Sequence, residues 1–144
     1  NGDISLFLSK NQDIETIKSI ILQTTCVIIQ LASIYKIYHG DINSGNILID
    51  TISKEHIEYC IENEIFIIKT HGFIPKMIDY GRSNFYKGNI VNDEVWFDII
   101  LMLGVVYPYI QDVQLKQKIL EISKKNELNL SSLKNYFTYI RDML

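Results

Sequence analysis

From Val95 to Tyr107 the chain is almost wholly apolar: Ile99, Ile100, Leu101, Met102, Leu103, Val105 and Val106 follow one another, and the run stops at Pro108. A helix that is apolar on every side has to be buried on every side. The segment therefore predicts a core helix over 95–107, around which the rest of the chain must be arranged. Its single carboxylate, Asp98, sits in Trp96-Phe97-Asp98-Ile99 at the edge of the run. An isolated charge is costly to bury there, so Asp98 must be paired or must cap something.

A second helical pattern precedes it. Ile14, Ile17, Ile21, Ile28, Leu31 and Tyr35 recur at helical spacing behind Asp13, a suitable N-cap. They predict one long amphipathic helix over 13–35. Within it, Ile20 to Tyr35 is interrupted by Gln23, Thr24, Thr25, Gln30 and Ser33, and reads as too polar and too short to span a bilayer. Short β-type segments lie between the two helices: Asn46 to Asp50, a hairpin of Ile57–Ile61 and Ile65–Ile68 across Glu62-Asn63-Glu64, and Lys76 to Ile78. Arg82 to Asn92 is polar, contains Gly88 and reads as a loop. Gln114–Lys124 and Ser131–Leu144 predict two further helices, with Ser131 as an N-cap. The expected fold class is mostly α with a small β element (α+β), in one domain, since 144 residues support a single core.

The formal net charge is −3, so there is no basic footprint and nucleic acid is not an expected partner. The cluster Lys116, Lys118, Lys124 and Lys125, with Glu121 and Glu127 beside it, reads as a solvated helix face. Cys26 and Cys60 each fall in an apolar periodic run and are expected to act as small hydrophobes; no Cys-x-x-Cys spacing suggests a metal. Their use points to a reducing, intracellular compartment. No signal peptide is visible, and a chain that begins at Asn1 rather than Met is expected to be a piece of a longer one.

The chemistry-bearing segment is His39-Gly40-Asp41-Ile42-Asn43-Ser44-Gly45-Asn46-Ile47-Leu48. An Asp followed five residues later by an Asn and an apolar strand puts a carboxylate and an amide on one rigid loop. The carboxylate can accept a hydroxyl proton, and the amide oxygen can bind magnesium. A second segment, Met77-Ile78-Asp79-Tyr80-Gly81, ends a strand in another carboxylate, an oxygen ligand suited to a hard cation. Each alone is weak; Asp-Tyr-Gly by itself is an ordinary turn. Their order, between a long helix and a buried one, makes the pair informative. Asp98 then has two readings: a first-turn acid, or an anchor that accepts hydrogen bonds from the loop backbone near His39 and Gly40. Asp93 and Glu94 compete for that second role.

At these residues the chain resembles the protein kinase superfamily, and within it the haspin-type kinases and kinases of large DNA viruses. Asp79-Tyr80-Gly81-Arg82-Ser83 resembles their tyrosine-containing metal-binding motif. The long Ile49–Lys76 connection resembles their insertion, and the missing Ala-Pro-Glu element fits them too. The likeness runs from about Ile14 to Tyr107. It implies a kinase C-terminal lobe with an inserted hairpin over 1–144, the ATP-binding N-terminal lobe being mostly absent. It implies ATP and magnesium as cofactors, Asp41 as the catalytic base, and Asn46 and Asp79 as ligands of the magnesium nucleotide. His39 would pack beneath the loop, Tyr80 would take a hydrophobic spine position, and Gly81 would complete the turn. Three departures matter. Gly40 stands where many kinases have arginine, Asn43 stands where they have lysine or histidine, and no Gly-rich loop, strand lysine or helix glutamate is present.

The resemblance implies a serine/threonine protein kinase acting on a protein hydroxyl, with no membrane or nucleic-acid partner, the isolated piece being inactive without its other lobe. Two alternatives stand beside it. His-Gly-Asp with Gly-Asn-Ile-Leu is also the loop spelling of aminoglycoside- and choline-type phosphotransferases, which act on small molecules. A truncated pseudokinase serving as a binding module is the non-enzymatic reading.

Overall fold

Asp3 and Asp13 each start a helix by accepting backbone N–H groups that the first turn leaves open. The computed structural model describes residues 2–85, 92–125, 130 and 132–144. In it, Asp3 follows a two-residue strand β1 (Gly2–Asp3) and caps helix α1 (Ile4–Lys10) through Leu6 N at 2.9 Å. Asp13 caps α2 (Ile14–Gln30) through Thr16 N at 2.9 Å. The α2 helix runs on into one π-helical turn, Leu31–Tyr35, which stops at Lys36 in the left-handed region. A two-residue strand β2 (Ile37–Tyr38) and a single 3₁₀ turn (Ser44–Asn46) lead to β3 (Ile47–Thr51). Then come β4 (His56–Ile61), β5 (Glu64–Lys69), β6 (Phe73–Met77) and β7 (Asn84–Phe85). Helices α3 (Asn92–Val106), α4 (Val113–Ser123) and α5 (Leu133–Met143) complete the described chain, a mixed α+β arrangement.

Among the described residues the strands form three small antiparallel sheets in the order β1-β3-β6, β2-β7 and β4-β5. The core is built on α2 and α3. Ile17, Ile20, Ile21 and Ile29 of the first and Ile99, Met102, Leu103 and Val106 of the second are buried with Ile47, Ile61, Tyr136 and Phe137.

Several expectations need correction. The α2 helix with its π turn spans 22 residues and by length and composition is long and apolar enough to cross a membrane, so shortness and polarity do not separate it from a spanning helix. It is instead a core helix, and its polar interruptions are ties to the sheets. Ser19 Oγ donates to Lys69 O at 2.5 Å, Gln23 Nε2 to Phe73 O at 3.2 Å and Gln30 Nε2 to Cys60 O at 3.1 Å. Nor is α3 buried all round: Phe97 is 57% exposed. Cys26 is buried, where burial pushes its thiol pKa up, but Cys60 lies on the outward face of β4 and is exposed. Glu64 belongs to β5, so the hairpin turn is Glu62-Asn63 alone, both with positive φ as a two-residue turn requires. Part of the expected 82–92 loop is β7; residues 86–91, like the expected cap Ser131, lie outside the described residues. The N-terminal β1 and α1 had no signal in the periodicity.

Candidate functional site

The loop that carries Asp41 is fixed at its start by α3. Asp98, 1% exposed, accepts from His39 N at 2.7 Å through Oδ2 and from Gly40 N at 3.0 Å through Oδ1. Two carboxylate oxygens thus meet two consecutive backbone donors, the pairing a buried carboxylate needs. Burial still holds the Asp98 carboxyl above the ordinary carboxylate range, against these hydrogen bonds. Asp93 and Glu94 make no such bond. His39 is itself buried and faces the other strand: Nε2 lies 3.0 Å from Ile78 O, so that nitrogen carries the proton, and buried Nδ1 has no partner. Gly40 has φ +72°, and a Cβ there would stand 3.3 Å from Arg82 O. No larger residue fits without strain, which accounts for glycine in front of Asp41.

Asn43 and Asn46 shape the rest of the loop. Asn43 accepts from Gly45 N at 3.0 Å, capping the 3₁₀ turn, and its Nδ2 donates to Asp41 O at 3.2 Å. Asn46 Nδ2 donates to the same carbonyl at 2.9 Å. The Asp41 backbone is therefore clamped by two amides, while its half-buried carboxylate points to Arg82, whose guanidinium lies 3.6 Å away. Asn46 sits in the 3₁₀ turn just before β3 rather than in the strand.

The second carboxylate arrives by strand pairing. β3 and β6 run antiparallel with Ile47 opposite Met77, and Ile78 N donates to Asn46 O at 3.0 Å, carrying the ladder one residue further. The start of β3 and the end of β6 therefore share one edge. Asp79 follows at φ +59°, a left-handed conformation that Asp tolerates, and its Oδ1 accepts from Gly81 N at 3.3 Å. The Tyr80 ring lies 5.0 Å from the His39 ring; the residue is 42% exposed, only half-covered for a spine position, and burial raises its phenol pKa. Gly81 passes close to Asp79: a Cβ on it would stand 3.1 Å from Oδ1. Ser83 Oγ donates to His39 O at 3.1 Å and closes the edge onto the loop.

Hydrogen bonds thus link Asp41, Asn46, His39, Tyr80 and Asp98 through Ile78 and Ser83, while Asp79 and Gly81, bonded to each other, join this edge through the chain itself. Among the described residues no donor is recorded for Asn46 Oδ1, so this oxygen and the Asp79 carboxylate, at the same edge of the β3–β6 pair, are the candidate oxygen ligands. Two protein oxygens suit magnesium, which keeps several waters and takes few protein ligands. Among the described residues no group of three or more His, Cys, Asp or Glu side chains gathers as a full cage would. The residue missed from sequence is Arg82. It stands in the motif Asp79-Tyr80-Gly81-Arg82-Ser83, but its approach to Asp41 depends on a turn tied back by the Ser83–His39 bond.

No family model matches the chain. Over 48 residues, 33% of its length, it is 46% identical to an uncharacterized protein of Caenorhabditis elegans, and that stretch is 16% of the relative. Over 89 residues, 62% of its length, it is 27% identical to the serine/threonine-protein kinase haspin of Mus musculus, covering 12% of that protein. The chain therefore spans a small part of either relative. The similarity to haspin is distant and partial, and it indicates a protein-kinase-like relationship. Neither of these relatives is viral.

Proposed function

We propose that the chain is the catalytic-loop half of an ATP-dependent phosphotransferase of the serine/threonine protein kinase type, a kinase-like C-terminal lobe. The observation that carries this is the single edge shared by Asp41, Asn46 and Asp79, joined through the Asn46–Asp41 bond at 2.9 Å and the Ile78–Asn46 bond at 3.0 Å. Asp41 takes the proton of the acceptor hydroxyl. Asn46 and Asp79 would hold magnesium, which would offset the charge of the nucleotide phosphates. His39 and Asp98 set the position of the loop. The acceptor is a Ser or Thr hydroxyl of a protein, and the remaining nucleotide contacts come from a second lobe.

A small-molecule phosphotransferase is the second reading, favoured by Gly40, whose left-handed backbone leaves no room for an arginine. One experiment addresses both: transfer of labelled phosphate from magnesium-ATP by the full-length protein to a panel of proteins and of small hydroxyl compounds, with Asp41→Asn as control. Labelled protein with none in Asp41→Asn supports the kinase reading; labelled small molecules alone support the second. Transfer unchanged in Asp41→Asn sinks both.

A further inference from the structure

Phosphoryl transfer concentrates negative charge on the moving phosphate, and cations aimed at that charge supply much of the rate. The loop Asp41-Ile42-Asn43-Ser44-Gly45-Asn46 contains no cationic side chain. Asn43 is neutral and is engaged within the loop, its oxygen accepting from Gly45 N at 3.0 Å and its nitrogen donating one hydrogen bond to Asp41 O at 3.2 Å. The cation at this carboxylate comes from the turn between β6 and β7. Arg82 reaches within 3.6 Å of Asp41 Oδ1 while its side chain is 77% exposed. Its backbone is not free to drift: Ser83 N donates to Tyr80 O at 3.0 Å and Ser83 Oγ to His39 O at 3.1 Å. A guanidinium on a fixed stem, held by one long and solvated ion pair, is easily drawn away. Phosphate, which it can grip with two parallel N–H groups, is the stronger partner.

We propose that Arg82 is a further catalytic residue, which pairs with Asp41 in the free site and turns to the transferring phosphate when a magnesium nucleoside triphosphate is bound. The inference rests on the phosphotransferase reading above. The acceptor hydroxyl oxygen forms a bond to the terminal phosphorus, and its proton passes to Asp41. The bond from that phosphorus to the bridging oxygen breaks, and the nucleoside diphosphate leaves with the electron pair. Arg82 meets the charge on the phosphate oxygens in transit, and its departure from Asp41 leaves that carboxylate free to take the proton.

The test uses Arg82→Gln and Arg82→Lys in the full-length protein, with thermal melts to confirm that both fold. Two quantities are read: the rate of phosphate transfer, and the gain in affinity when aluminium fluoride, a mimic of the phosphate in transit, is added to magnesium-ADP. Arg82→Gln should lower the rate about 10²–10³-fold and lose most of the aluminium fluoride gain, with magnesium-ADP affinity held within about twofold. Arg82→Lys should fall between. Equal rate and equal gain in Arg82→Gln overturn the role of Arg82 alone, and so does a faster Arg82→Gln, which would make Arg82 a shield over Asp41. A wild type that neither binds magnesium nucleotide nor transfers phosphate overturns the phosphotransferase reading, and this inference with it.

Discussion

The hairpin β4–β5 and the edge that carries Asp41, Asn46 and Asp79 are both small β structures packed on the helical core, and they are held by different means. In the hairpin every pairing, from His56 opposite Lys69 to Ile61 opposite Glu64, is local, and the turn needs only Glu62 and Asn63. Its inner face is apolar: Ile61 and Ile68 are buried, and Phe66 packs 4.6 Å from Phe137 of α5. The site edge also buries apolar side chains, Ile42, Ile47 and Met77. It is tied by polar groups distant in sequence, Asp98 to His39, His39 to Ile78 and Ser83 to His39, and it includes Gly40 and Asp79 in left-handed backbone. Burial of local pattern supplies stability in one region; long-range polar ties supply position in the other. If that division holds, changes in the two regions should separate into losses of activity and losses of stability.

The largest effect should come from Asp79→Asn. Asn tolerates the same left-handed backbone, so the turn survives, while the ligand proposed for magnesium loses its charge. Phosphate transfer by the full-length protein should drop by about 10³-fold or more, with the melting temperature unchanged. A melting temperature that falls with the activity would blur the comparison at its strongest point. Next is Phe137→Ala, which removes a buried ring under the hairpin and should cost about 3–5 kcal/mol in urea unfolding. Its transfer rate, measured below the unfolding transition, should stay within about twofold of wild type.

The difference in construction also decides what could be read in advance. The hairpin, α2 and α3 follow from periodicity and turn chemistry, signals that sit within a dozen residues. The site residues were legible as spelling, because Asp41 with Asn46 and Asp79 with Gly81 keep short fixed spacings. How they meet was not local: 33 positions separate Asn46 from Asp79, and only the antiparallel register of β3 and β6 joins them. Arg82 was illegible for the same reason, since its approach to Asp41 depends on a turn closed by Ser83. The outward face of Cys60 and the exposure of Phe97 were missed because an apolar run does not say which of its members looks out.

Asp98 tests whether the polar ties carry stability as well as position. Asp98→Ala strands two backbone donors, His39 N and Gly40 N, and should cost about 2–4 kcal/mol together with most of the activity. A loss below about 1 kcal/mol would show that the edge is held by something else. The acid also has a pH signature. Burial raises its carboxyl pKa in the folded state, whereas the unfolded carboxyl titrates near about 3.9. The native state therefore binds the extra proton, and this group's contribution is fully present below about pH 3.9 and lost as pH rises through the folded value. Wild-type stability measured relative to Asp98→Asn should decline with rising pH over that window. A difference that grows with pH would reverse the assignment.

The smallest effect lies where the hairpin makes a polar tie of its own. Ser132 occupies the cap position of α5 without a side-chain bond, and the capping comes instead from Glu62 in the hairpin turn. Its carboxylate accepts from Leu133 N at 3.1 Å and Lys134 N at 3.3 Å. Glu62 does this from a backbone at φ 49°, a region costly for a residue with its side chain. Two opposed terms thus meet at one position. Glu62→Ala removes the cap and keeps the strain, so it should cost about 1 kcal/mol. Glu62→Asn also removes the cap, because the shorter side chain cannot reach α5, but Asn accepts the left-handed backbone and should recover about half of that loss. The expected order of melting temperatures is wild type, Glu62→Asn, Glu62→Ala, with transfer activity the same in all three. If Glu62→Asn melts no higher than Glu62→Ala, the turn stores no strain. If Glu62→Ala melts with wild type, the cap is idle, and the hairpin is held without it by apolar packing, local pairing and its bonds from Ser19 and Gln30 of α2.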